Sequence, residues 1–186
     1  MFITMPDGCR LACEVSGEEA GTPVLFVHGF PLRGAMWEHA AAAMSAWCRC
    51  IVPDLRGHGA SDPSDRATMA MFADDLATVL DRLGEKRPVV VVGLSMGGII
   101  AFEFFRRYRS RVRALALCNT RALPETDEGR AGREKLACDV LARGSVAAAE
   151  AMIGKVFGPG VAPDVRDRWF GLMAGTDAVG VAAAAR

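Results

Sequence analysis

The sequence predicts an α/β fold, a doubly wound and mostly parallel sheet. Three observations carry this. Short, continuous apolar runs of strand length recur at residues 23–28, 50–54, 88–92 and 113–119. Helical patterns separate them, the clearest at 68–83, where Met69, Phe72, Leu76, Val79, Leu80 and Leu83 recur at helical spacing before Gly84. A glycine-flanked turn, Gly93-Leu94-Ser95-Met96-Gly97, joins the third run to an apolar helix at 96–108. Strands that are apolar throughout, rather than alternating, belong to parallel sheets covered on both faces. Right-handed crossovers then wind the sheet both ways and place the site at the strand C-terminal ends.

The remaining elements fit the same plan. Residues 2–5 and 9–15 flank Pro6-Asp7-Gly8, a turn signal, and predict an opening β-hairpin. An Ala-rich helix is expected at 34–47, after Pro23–His28, and Cys50–Asp54 is the second buried strand. Leu55 to Ser64 is a loop rich in Gly, Ser, Asp and Pro. Beyond Thr120 no strand pattern appears; helices are expected at about 129–142, 145–157, 163–174 and 177–186. This divides the chain into an α/β core, 1–120, and a helical cap segment, 121–186.

Composition narrows the function classes. At 186 residues the chain suits one domain. Basic and acidic residues balance at 22 each, so no excess positive charge points to nucleic acid or an anionic membrane. The arginines between Arg106 and Arg111 follow an apolar helix and complement the negative end of its dipole. The six cysteines form no C-x-x-C pair and lie at no zinc-like spacing from a histidine, so free thiols and no metal are expected. Pro88–Phe105 is long enough for a membrane span, but its three glycines, Ser95, Glu103 and change of periodicity favour strand, turn and helix. A cytoplasmic location is the default expectation.

Ser95 is the candidate nucleophile. G-x-S-x-G between a buried strand and a helix places a serine hydroxyl above the sheet, at a helix N-terminus that favours developing negative charge. The competing reading is a capping serine in a tight turn. Phosphate-loop readings fail, because Gly98 is followed by Ile99-Ile100 rather than Lys-Ser/Thr. His28-Gly29-Phe30-Pro31 ends the first apolar strand, and its turn exposes the Phe30 N–H, which with the Met96 N–H makes a two-donor oxyanion hole. In Asp54-Leu55-Arg56-Gly57-His58-Gly59-Ala60-Ser61-Asp62 the glycines force a tight loop, which Asp54 and Arg56 can tie down.

Together "HGFP" at 28–31, "DLRGHGASD" at 54–62 and "GLSMGG" at 93–98 resemble the α/β-hydrolase family, closest to its small cofactor-free enol-lactonases, carboxylesterases and non-metal haloperoxidase-like enzymes. The resemblance covers residues 1–120 and implies that Ser95 is the nucleophile and that Phe30 and Met96 are the oxyanion donors. His58 is then structural. Serine rather than aspartate at 95 argues against the haloalkane-dehalogenase and epoxide-hydrolase relatives. The implied substrate is a small ester or lactone, without a metal or organic cofactor. Leu32 and Trp169, with Phe30, Phe170 and Met173, are expected as apolar walls of the substrate pocket.

The chain departs from the family order of nucleophile, acid, histidine. Its three histidines, His28, His39 and His58, all precede Ser95. The acids after Ser95 lie in or beside helical patterns, and the position ending the next strand is Asn119. The last two strands of the family are not found. The expectation is a C-terminally incomplete hydrolase with little activity of its own. A non-catalytic ligand- or partner-binding relative and an improvised base, His28 or His58, are the alternatives.

Overall fold

The computed structural model describes residues 1–186. Six strands form one sheet: β1 (Phe2–Thr4), β2 (Arg10–Gly17), β3 (Thr22–Val27), β4 (Cys48–Pro53), β5 (Val89–Leu94) and β6 (Val112–Cys118). Their spatial order is β1-β2-β4-β3-β5-β6. The opening hairpin and its junction with β4 are antiparallel, and every other pairing is parallel. The helices are α1 (Glu38–Met44), α2 (Met69–Arg82), α3 (Met96–Arg107), α4 (Asp127–Arg143), α5 (Val146–Val156), α6 (Pro163–Ala174) and α7 (Ala178–Ala185).

Alternation along β3 shows how the sheet divides two cores. Leu25 and Val27 face the larger one, packed with Phe72, Leu76 and Leu80 of α2 and Ile100 and Phe104 of α3. Val24 and Phe26 face α1, with Cys50, Val52 and Trp37 around them. The Phe26 and Trp37 ring centroids are 5.3 Å apart. Each large side chain in these cores contributes roughly 1.5–3 kcal/mol by leaving water.

Coverage of the second face is incomplete. Only α1 lies on it, so Val90 and Val92 of β5 remain half-buried, and their β6 partners Ala114 and Ala116 are exposed. The expected helix at 34–47 is shorter and mixed: a 3₁₀ turn at Gly34–Trp37 precedes α1, which ends at Met44. The central strand reaches Leu94, two residues past the apolar run that signalled it, because Gly93 and Leu94 still pair with β6.

Helix boundaries follow local chemistry. Thr68 Oγ1 accepts from the Met71 N–H at 3.1 Å to cap α2, and Gly84, at φ +67°, follows its end. Thr126 caps α4 through the Gly129 N–H at 3.1 Å, and Asp177 caps α7 through the Gly180 N–H at 2.9 Å. Helices α4, α5 and α7 hold a further small core, in which Ala137 and Val140 of α4 cluster with Ala147 and Ala148 of α5 and Val181, Ala182 and Ala185 of α7. No helix is long and apolar enough to cross a membrane.

The end of the sheet away from the helix α3 N-terminus is tied by one buried carboxylate. Glu85 accepts from Arg87 Nε at 2.9 Å, from Arg87 Nη2 at 2.7 Å and from Arg49 Nη1 at 3.0 Å. Arg87 also reaches the carbonyls of Glu19, Ala20 and Gly21, stitching the β2–β3 loop to the start of β5. The Arg87 guanidinium, aided by Arg49 and opposed by burial, lowers the Glu85 carboxyl from its usual 4.5 to about 2. A depressed carboxyl stabilises the fold at high pH, and that contribution disappears on acidification. Glu85→Gln should therefore cost about 2 kcal/mol near neutral pH in urea unfolding. The deficit should be complete above pH 4.5 and should shrink as pH falls from there toward about 2.

Candidate active site

Ser95 sits between β5 and α3 at φ 52°, ψ −112°, a left-handed backbone rare for a residue with a side chain. Its neighbours hold it there. The Ser95 N–H donates to the Cys118 carbonyl at 2.9 Å, and its own carbonyl accepts from the Gly98 N–H at 3.0 Å. The Thr120 hydroxyl donates to that same carbonyl at 2.7 Å. The chain on either side is packed backbone to backbone. A Cβ on Gly97 would lie 2.2 Å from the Val27 carbonyl oxygen, and one on Gly93 would lie 2.4 Å from the Gly97 carbonyl oxygen. Small residues at both positions are thus a steric requirement of the turn.

The Ser95 hydroxyl does not cap the helix it precedes. The competing reading of a capping serine therefore finds no support in the structure. Ser95 instead lines a cavity of about 620 Å³, together with Phe30 and Met96. Met96 is the first residue of α3, so its N–H has no acceptor within the helix. The Phe30 N–H likewise has no backbone partner.

Two other expected wall residues lie elsewhere. Leu32 and Trp169 do not line this cavity; Leu32 is buried in a cluster with Ala149 and Met173, and Trp169 packs against that cluster. Phe170 and Met173 belong to that same cluster. These side chains serve as packing between the loop after β3 and helices α5 and α6, because an apolar group buried against others removes more surface from water than one facing an open cavity. The apolar walls are Met69, Ile99, Leu136 and Met152, and Asn119 and Thr120 form a polar part. Only Asn119 and Thr120 had a sequence signal, their position at the end of the strand after Ser95. The others come from helix faces whose orientation no local pattern records.

None of the three histidines is bonded to Ser95. His28 is fully buried, with Nδ1 3.0 Å from the Gly29 carbonyl oxygen and Nε2 accepting from the Leu55 N–H at 3.0 Å. Both ring nitrogens are thus occupied by backbone, and the acceptor role of Nε2 fixes Nδ1 as the protonated one. Burial, with His58 nearby, lowers His28 to about 3. His58 lies beneath it, rings 5.2 Å apart, with Nδ1 3.0 Å from the Arg56 carbonyl oxygen. Burial lowers His58 as well. His39 is exposed on α1.

The loop after β4 is tied down by its charges. Asp54 accepts from the Gly34 N–H at 2.6 Å and from the Ala60 N–H at 2.8 Å. Arg56 forks onto Asp75 at 2.6 and 2.7 Å and reaches Asp7 at 2.9 Å. Both members of the Arg56–Asp75 pair are buried, and the bonds to Asp75 raise the Arg56 guanidinium further. No group of three or more His, Cys, Asp or Glu side chains is placed to hold a metal ion, and all six cysteines are free.

The α/β-hydrolase fold family model matches residues 22–138, more than half of the chain. The chain belongs to the α/β-hydrolase fold family. Among solved structures, this chain is similar to a thermophilic esterase from Thermogutta terrifontis, with TM-score 0.94 and 40% identity, covering 100% of this chain and 70% of that one. It is also similar to the enol-lactonase from Burkholderia xenovorans LB400, with TM-score 0.90 and 26% identity, covering 100% of this chain and 72% of that one. Among curated proteins it is 34% identical over 117 residues to a cis-3-alkyl-4-alkyloxetan-2-one decarboxylase from Xanthomonas campestris, covering 58% of this chain. That alignment spans 39% of the relative's length.

The steric demand at the turn can be tested by stability. Gly97→Ala should cost about 1–3 kcal/mol in urea unfolding, because its methyl group meets the β3 backbone. Gly154→Ala is the control: nothing lies within 4 Å of that position on α5, and the change should stabilise the chain by up to about 1 kcal/mol.

Proposed function

We propose that this hydrolase carries the nucleophile and the oxyanion hole of an acyl-transfer site for small carboxylic esters or lactones. The observation that carries the reading is the Ser95 hydroxyl: it sits at a strained helix start, leaves its helix uncapped and faces the cavity that also holds Phe30. In the proposed reaction Ser95 Oγ attacks the substrate carbonyl carbon and its proton passes to a base. The carbonyl electron pair moves onto oxygen, where the Phe30 and Met96 N–H groups donate to it. Collapse expels the alcohol, or opens the lactone, and leaves an acyl-enzyme that water hydrolyses to the acid.

The proton-accepting base is assigned to a group outside residues 1–186, since both nitrogens of His28 are held by backbone, His58 is buried and does not line the Ser95 cavity, and His39 is exposed on α1. Similarity supports the substrate class. The Thermogutta structure is described as an esterase and the Burkholderia one as an enol-lactonase. An oxetan-2-one, in the name of the Xanthomonas relative, is a four-membered lactone. The helical segment 121–186 is read as cap, because Leu136 of α4 and Met152 of α5 close over the Ser95 cavity.

A second reading, a binding protein on a hydrolase frame, is favoured by the lack of any histidine on Ser95. A fluorophosphonate probe followed by intact mass and peptide mapping separates the two. Loss of the histidine from a serine triad costs on the order of a millionfold in turnover, so unaided labelling should be slow. Imidazole added as an external base should accelerate it at least tenfold, with the adduct on Ser95 and none in Ser95→Ala. Failure to label Ser95 even with imidazole, alongside intact binding of small esters, would establish the second reading.

A further inference from the structure

We infer that the cavity selects esters or lactones whose acyl part carries a carboxylate, with Lys155 and the Arg121–Arg133 pair as the anion-recognising groups. The inference rests on the acyl-transfer reading of this cavity and names its substrate class. Every charged side chain that lines the cavity is cationic: Arg121, Arg133 and Lys155. They come from separate places, the segment after β6, helix α4 and the last turn of α5, so no single helix face accounts for them.

The charges are not cancelled locally. Arg121 and Arg133 share one carboxylate, Glu125, bonded to its two oxygens, with Arg133 Nε 2.6 Å from Oε2. Two guanidinium groups against one carboxylate leave an excess positive charge. The shared bonds also hold both planar groups in place and draw the Glu125 carboxyl below its usual value. Lys155 forms no ion pair and is exposed at the cavity wall. The N-terminus of α3 adds a partial positive charge at Ser95 itself.

A neutral ester needs none of this. Its carbonyl is served by N–H donors and its alkyl part by Met69, Ile99, Leu136 and Met152. Unpaired positive charge facing a cavity with low-dielectric walls concentrates anions there. A ligand that is apolar along its chain and anionic at its end matches both parts of the wall. The apolar side chains would hold the methylenes, and a cation would hold the terminal carboxylate.

The test is calorimetric binding of monomethyl glutarate, a monoanion, against dimethyl glutarate, its neutral counterpart. Wild type should prefer the monoanion about tenfold. Lys155→Gln should reduce that preference by up to about fivefold, the range of an exposed charge pair. Raising salt to roughly 1 M should bring the preference toward one. Circular dichroism confirms that Lys155→Gln is folded, and Arg133→Gln serves as a second variant that should act in the same direction. Equal affinity for the two esters, no binding of either, or a preference unchanged in both variants overturns the inference. Labelling of Ser95 by the neutral fluorophosphonate is independent of these cations. Loss of labelling with the anion preference intact therefore overturns the acyl-transfer reading, and the substrate class with it, and leaves an anion-binding cavity; labelling with equal affinity for the two esters overturns this inference alone.

Discussion

The turn at Ser95 is the contact on which the site depends. Helix α3 begins almost against the backbones of β3 and β5, and only glycines at 93 and 97 permit that approach. Close approach forces the serine backbone into the left-handed region, and bonds from Cys118 and Thr120, at the end of β6, keep it there. Strain at one residue is thus held by the pairing of β5 with β6. The consequence is that Ser95 leaves its own helix uncapped and lines the cavity.

A second set of contacts holds the loops around that turn without touching the reacting position. His28 bridges the loop after β3 to the loop after β4, and His58 supports it from below. Asp54 and Arg56 bind the same loop to the 3₁₀ turn before α1, to the opening hairpin and to α2. Histidine here acts as a neutral hydrogen-bonding group. Burial favours the uncharged form of both rings, which suits a scaffold; each ring bonds backbone groups, and neither lines the Ser95 cavity. Further support comes from α7, where Gly180 packs directly on Gly57, so close that a Cβ on Gly180 would lie 2.1 Å from the Gly57 carbonyl oxygen.

The cavity itself joins two kinds of surface. Its floor is the turn and the loop after β3, and its upper wall is supplied by α4, α5 and the last residues of α7. The floor was legible in the sequence because its chemistry is local: G-x-S-x-G needs only five adjacent residues and the strand and helix on either side. The wall was not. Leu32 and Trp169 carried the right apolar character for a pocket, yet both belong to a packed cluster outside the cavity. The residues that do face Ser95 include Met152 and Lys155, whose placement depends on how α5 is rotated over the sheet.

By itself, the sequence determined the elements, the parallel centre of the sheet and the glycine-flanked turn at Ser95, because strand length, helical period and glycine position act over a few residues. The order that the family resemblance implies, with the base after the nucleophile, left His28 and His58 only as improvised bases. Tertiary structure decided which side chains surround Ser95, how far the second face of the sheet is covered and what holds each histidine. Those depend on contacts between segments tens of residues apart, such as Leu55 with His28 and Thr120 with Ser95. A one-dimensional pattern records which residues are apolar or charged; the packing angle between helix and sheet sets which of them meet.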